Sequence, residues 1–192
     1  MNDNFVVRRM MDSIDAKKAF LENEENVALV EKCANAIANS IRKGGKILVF
    51  GNGGSASDSL HIVGELLGRF QKERPAFSAI ALNADVATMT AIANDYSYDE
   101  VFSRQVDGLM KNGDVAIGIS TSGNSANVVR AIDVANTKGG TTIALTGKDG
   151  GILKSKSDYT IVVSNDTTAR IQECHMTIYH IICEMVEDML TD

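Results

Sequence analysis

Apolar residues in this chain fall into short continuous runs, separated by longer stretches in which they recur every three or four positions. Lys46–Phe50 (KILVF), Phe77–Leu82 (FSAIAL), Val115–Ile119 (VAIGI), Thr142–Leu145 (TIAL) and Tyr159–Val163 (YTIVV) have strand length. Helical spacing is predicted over Leu60–Phe70, Asp85–Ile92, Asp99–Met110, Asn127–Ala135 and Thr168–Leu190. Strands that alternate with helices define an α/β chain: a three-layer, doubly wound, flavodoxin-like arrangement around a mostly parallel five-stranded sheet.

The first 43 residues stand outside that alternation and are predicted as a helical hairpin. Val30, Cys33, Ala34, Ile37, Ala38 and Ile41 form one apolar stripe, and Lys43-Gly44-Gly45 supplies the stop. Such a hairpin packs either on its own sheet or against another subunit, and the pattern leaves both open. The single proline, Pro75, sits in the loop before the second strand. No linker, repeat or low-complexity tract interrupts the chain, so residues 1–192 are expected to form one domain.

Composition narrows the field. The formal net charge is −6, with a pI of about 5.1, which argues against a nucleic-acid partner. No apolar run reaches membrane-spanning length and the N-terminus lacks a signal-peptide core, so neither a membrane nor export is expected. Cys33, Cys174 and Cys183 have no CxxC spacing and read as reduced, buried thiols of a cytoplasmic protein.

Two strand-to-helix junctions carry candidate chemistry. After the third strand comes Ser120-Thr121-Ser122-Gly123-Asn124-Ser125, and a helix follows. Four hydroxyls beside the free amides and positive dipole of a helix start form a pocket for a phosphate monoester. The plainer reading is a serine N-cap on a solvated turn. The GxxxxGK[ST] pattern of a nucleotide-triphosphate loop is absent. After the first strand, Gly51-Asn52-Gly53-Gly54 lets backbone approach a ligand closely. In a parallel sheet both junctions lie at the carboxyl ends of strands, where such folds bind ligands.

Titratable side chains cluster on two of the predicted helices. His61 and Glu65 are spaced i, i+4, with Asp58 on the same face. Gln172, Met176 and His180 share a stripe of the last helix, and His175 points away from it. His61 and Glu65 suit a divalent metal, or equally a surface hydrogen bond, because a metal needs further ligands. Asn94-Asp95 has the composition of a helix end and turn, and Arg69 and Arg104 that of surface or interface ion pairs. Lys148-Asp149-Gly150-Gly151 suits a tight structural connection.

GNGGSASDSLHIVGELLGRF, AIANDYSYDEVFSRQV, ISTSGNSANVV, LTGKDGG and ARIQECHMTIYH together resemble the phosphoheptose isomerases of the sugar isomerase (SIS) domain family, over about residues 40–185. The resemblance implies interconversion of sedoheptulose 7-phosphate and glycero-manno-heptose 7-phosphate, towards activated heptose for lipopolysaccharide or another surface glycan. It implies a homotetramer with active sites at subunit interfaces and one divalent metal, zinc by preference, per subunit. His61, Glu65, Gln172 and His180 match the family's metal positions. Ser120, Thr121, Ser122 and Ser125 match its phosphate pocket, and Asn52, Gly53, Gly54, Asn94 and Asp95, with Glu65 and Gln172, its sugar contacts. Glu65 and His180 match its base and acid. The fold also serves non-catalytic sugar-phosphate-binding regulators and isomerases of other sugar phosphates, and Glu65 together with His180 favours the enzyme.

Overall fold

The computed structural model describes residues 4–191; the predicted hairpin and single-domain span reach beyond them at residues 1–3 and 192. Strands β1 (Ile47–Gly51), β2 (Ala79–Ala81), β3 (Val115–Ser120), β4 (Thr141–Gly147) and β5 (Tyr159–Val163) form one sheet in the order β2-β1-β3-β4-β5. Every neighbouring pair is parallel, where the sequence predicted a mostly parallel sheet. The cause is visible in burial: all residues of β1 and β3 are buried, so both faces must be covered, as crossover helices cover them.

Alternation along the strands assigns residues to two cores. Ile47, Val49, Ile117, Ile119 and Leu145 face α1 (Phe5–Leu21), α2 (Glu24–Arg42), α3 (Gly54–Leu67) and α8 (Thr168–Thr191). Leu48, Phe50, Ala116 and Ala144 face α4 (Val86–Asp95), α5 (Ser103–Leu109), α6 (Ala126–Thr137) and the short α7 (Leu153–Lys156). Gly118 has no side chain because a Cβ there would stand 2.8 Å from Val128 Cγ1 of α6. The sheet order places a topological switch between β1 and β3, whose carboxyl ends lie side by side with Gly51 paired to Ile119.

Several boundaries differ from the sequence pattern. α3 begins at Gly54, six residues before its apolar periodicity, because Ser55, Ser59 and Asp58 are themselves buried. The predicted helix over Asp99–Met110 divides into a 3-10 turn, Tyr98–Glu100, and α5. Asp85 caps α4 by accepting from the Thr88 amide, and the helix runs on through Asn94 and Asp95.

The two N-terminal helices behave differently. α2 packs on its own sheet and against α8, burying Cys33, Ala34, Ile37 and Ala38; burial of a side chain such as Ile37 contributes about 2 kcal/mol. α1 rests on α8 through Ala16 and Phe20, while Phe5, Val6, Met10, Met11 and Ile14 stay exposed. All three cysteines are free and buried, and burial pushes the Cys33 and Cys183 thiols up to about 12, which keeps them inert.

A buried ion pair ties the end of α3 to α8. Glu187 accepts from the amides of Phe70, Gln71 and Lys72 and from Arg74 Nε, at 2.7–3.0 Å. Burial pushes this carboxyl up, but those donors outweigh it and hold it below the usual carboxylate range. Arg74 also donates to the carbonyls of Glu65, Leu66 and Gly68 and lies over the Phe77 ring. The knot leaves Phe70 stacked on the His180 ring, with centroids 5.8 Å apart.

Candidate active site

The serine turn is not an ordinary capped helix start. Ser125 occupies the N-cap position of α6 yet makes no side-chain cap. Its hydroxyl lies 2.9 Å from Ser120 Oγ, and Ser122 Oγ lies 3.4 Å from the same atom. Ser122 Oγ accepts instead from the Asn124 amide. Among the described residues the first-turn amides of Ala126 and Asn127 have no hydrogen-bond acceptor, so the helix's positive end faces the turn uncompensated. A capped turn would have used its serine on these amides; here the hydroxyls are collected around one point, as an oxyanion needs.

The connection after β4 holds this turn from behind. The Ile152 amide donates to Asn124 Oδ1 and the Leu153 amide to the Gly123 carbonyl. Gly123 takes φ +67°, and a Cβ on it would stand 2.0 Å from the Gly150 carbonyl oxygen. The predicted structural role of Lys148-Asp149-Gly150-Gly151 thus has a specific object: it clasps the serine turn.

Beside it, the glycine turn leads from β1 into α3. Gly53 takes φ +58° and ψ −122°, open only to glycine, and α3 begins without a side-chain cap. Gly54 is covered by Gln172 of α8, whose Nε2 would be 2.4 Å from a Cβ. The two turns are bridged by a reciprocal amide pair. Asn52 Nδ2 donates to Asn127 Oδ1, and Asn127 Nδ2 donates to Asn52 Oδ1, each at 2.9 Å. The Tyr98 hydroxyl also donates to Asn52 Oδ1, at 3.0 Å. Asn127 and Tyr98 escape a reading of the sequence: Asn127 looks like the polar face of a helix, and only the fold brings Tyr98 to β1.

Farther along α3 the titratable cluster assembles. His61 Nε2 is 3.1 Å from Glu65 Oε1 and 3.2 Å from His180 Nε2. One atom from each of the three lies within 4.8 Å of the others. Two imidazole nitrogens and a carboxylate oxygen turned to one point fit a borderline divalent cation such as zinc. Burial first, and then His61, push the His180 imidazole below its ordinary value, with Glu65 pulling the other way. Behind His61, Nδ1 is 2.9 Å from the Tyr179 hydroxyl, which is 3.5 Å from Asp58 Oδ1. Burial pushes Asp58 up to about 6 against the lowering pull of Tyr179 and His61. Burial, and next Asp58, push the Tyr179 phenol up.

The other predicted residues fall as follows. Gln172 lies with its carboxamide over Gly54 at the glycine turn. Thr121 sits partly buried in the serine turn. Asn94 donates to Asp95 Oδ1 at 2.9 Å on the exposed last turn of α4. His175 is buried, 2.9 Å from the Thr146 carbonyl, and stands apart from His180 as its helical position predicts. Arg69 pairs with Glu73 at the surface, whereas Arg104 stacks over the Tyr96 ring instead of pairing with a carboxylate.

A doubly wound parallel sheet with an anion-type turn at its switch point suits a phosphorylated ligand. The family model described as "SIS domain" matches residues 11–147, and the chain belongs to that family. Within it the chain is similar to phosphoheptose isomerases. The phosphoheptose isomerase of Thermodesulfovibrio yellowstonii is 52% identical over 93% of this chain and 88% of its own. That of Aquifex aeolicus is 48% identical over 92% of this chain and 96% of its own. The solved structure of phosphoheptose isomerase from Neisseria gonorrhoeae superposes with a TM-score of 0.90 at 39% identity, over 95% of this chain and 97% of that one.

Proposed function

We propose that this chain is an aldose–ketose isomerase that interconverts sedoheptulose 7-phosphate and glycero-manno-heptose 7-phosphate, the first step towards nucleotide-activated heptose for lipopolysaccharide or another surface glycan. The observation that carries the reading is the meeting of His61 and Glu65, on the helix that starts at the glycine turn, with His180 of α8, beside an uncapped serine turn. The relatives' shared name supports the heptose substrate.

In this reading Ser120, Thr121, Ser122 and Ser125, with the amides opening α6, hold the phosphate. Asn52, Gly53, Gly54 and Gln172, with Asn94 and Asp95, line the sugar chain. The Glu65 carboxylate removes a proton from C1 of the ketose and returns it to C2 of the enediolate. His180 gives a proton to O2 and takes one from O1. His61, Glu65 and His180, with Gln172 as fourth ligand, would hold one divalent metal per subunit, zinc by preference. Such an ion, when bound, polarises the carbonyl and favours negative charge on the enediolate oxygens.

The exposed apolar face of α1 (Phe5, Val6, Met10, Met11, Ile14) supports a homotetramer, since a contiguous patch of this kind calls for a partner surface. Free, buried cysteines support a cytoplasmic setting. Among the described residues no helix is long and apolar enough to cross a membrane.

The test is conversion of sedoheptulose 7-phosphate followed by NMR, with zinc, without it and after chelation. Formation of the aldoheptose phosphate is expected, with strong loss on chelation. Saturable binding of the sugar phosphate with no product under any metal condition would overturn the enzymatic reading.

A further inference from the structure

Asp58 is 6% exposed, and among the described residues its Oδ2 has no hydrogen-bond partner. The Tyr179 hydroxyl lies 3.5 Å from Oδ1, and that hydroxyl in turn lies 2.9 Å from His61 Nδ1. Tyr179 is itself 2% exposed, and its ring meets the His61 ring edge-on with centroids 5.4 Å apart. A buried carboxylate, a buried phenol and an imidazole therefore stand in file behind the His61/Glu65/His180 cluster.

A phenol has one proton to donate, and that decides the tautomer of His61. If Tyr179 donates to Nδ1, the His61 proton sits on Nε2 and points at Glu65 and His180. If Tyr179 donates to Asp58, it must accept from Nδ1–H, and Nε2 then presents a lone pair to the cluster. The second arrangement is favoured because an ionised Asp58 only accepts, and among the described residues the phenol is the donor in reach of its Oδ1. It also lets His61 Nε2 accept from His180 Nε2, 3.2 Å away, at the cost of a donor to Glu65 Oε1, 3.1 Å away, whose partly exposed carboxylate can draw one from water.

We propose that Asp58 is a positioning residue that acts through Tyr179 to fix His61 in its Nδ1–H tautomer, so that Nε2 faces the cluster as a lone-pair donor. Carboxylates usually hold a ligating histidine directly; here a tyrosine is interposed, and it also wedges the ring from the side. The metal-affinity consequence rests on the divalent-metal reading above, whereas the tautomer does not.

The experiment is a long-range proton–nitrogen correlation spectrum of the metal-free full chain, labelled with nitrogen-15, in wild type, Tyr179→Phe and Asp58→Asn. With only three histidines in the sequence, His61 is assigned from the signal lost in His61→Gln. Zinc affinity of each variant is then measured by competition with a chromogenic chelator. Wild type is expected to show His61 protonated at Nδ1, and both variants to shift towards Nε2–H and bind zinc about 10–100-fold more weakly. His61 protonated at Nε2 in the metal-free wild type would overturn the proposal. So would unchanged tautomer and zinc affinity in both variants. If wild type binds no zinc but shows an Nδ1–H tautomer that Tyr179→Phe abolishes, the relay stands and the metal reading falls. Should Tyr179→Phe not fold, Asp58→Asn and the wild-type spectrum decide alone.

Discussion

The two ends of the site are built on different principles. At the proposed phosphate end, the donors are hydroxyls of Ser120 to Ser125 and the amides of Ala126 and Asn127, eight consecutive residues without a charged side chain. At the other end it comes from titratable side chains on α3 and α8, with His61 and His180 separated by 119 positions. A pocket for a fixed dianion can be made from rigid dipoles that never change state. A proton-moving centre needs groups that do change state, and these must be held by long helices and by neighbours such as Phe70, Tyr179 and Asp58.

If that division is right, each end fails separately. Glu65→Gln should give the largest effect, lowering turnover by about 10²–10⁴-fold while leaving inorganic phosphate binding intact by calorimetry. Wild-type turnover in this variant would remove Glu65 from proton transfer. Gly123→Ala should do the reverse. Its Cβ would collide with the Gly150 carbonyl at a φ of +67°. A loss of about 3 kcal/mol in urea unfolding is expected, with phosphate binding lost and bound zinc unchanged.

His175→Gln should separate α8's structural histidine from its reactive one. Burial pushes His175 down to about 4, against the pull of the Thr146 carbonyl, from an ordinary value of 6.5. Between those values the unfolded chain binds a proton that the folded chain refuses. This part of the stability is therefore present above pH 6.5 and lost as pH falls towards 4, amounting to about 2 kcal/mol by pH 5. Urea unfolding at pH 7.5 and pH 5 should show the wild type losing about that much more than the glutamine variant. The smallest effect belongs to Gly54→Ala, which displaces the flexible Gln172 carboxamide. KM should rise by less than about tenfold, or 1.4 kcal/mol, with a small fall in bound zinc. Unchanged zinc content would take Gln172 out of the metal site and leave it to the sugar.

The same division explains what could be read in the sequence. The serine turn is contiguous, so its chemistry was legible, and the structure supplies only the reason that Ser125 does not cap its helix. Strand alternation was legible because β1 and β3 are buried on both faces and therefore unbroken in apolar character. His61 with Glu65 was legible as a spacing, but their meeting with His180 depends on how α8 crosses α3. Tyr179 sits one residue from His180 and shares the buried stripe of α8 with Ile178, Ile182 and Val186, so its spacing marks it only as core. Asn127, Tyr98 and the Gly150–Gly151 clasp act through contacts distant in sequence, which no local pattern encodes.

The buried pair of Arg74 and Glu187 bears on the order in which the protein becomes competent during synthesis. α8 comprises 24 residues and carries Gln172, Tyr179, His180 and Glu187. A nascent chain halted before α8 would carry the residues of the serine turn, the glycine turn and every strand, but not the helix that helps cover one face of the sheet. It would have no second imidazole, no phenol behind His61 and no carboxylate to gather the amides of Phe70, Gln71 and Lys72. The reactive centre is thus withheld until the last helix has left the ribosome and docked.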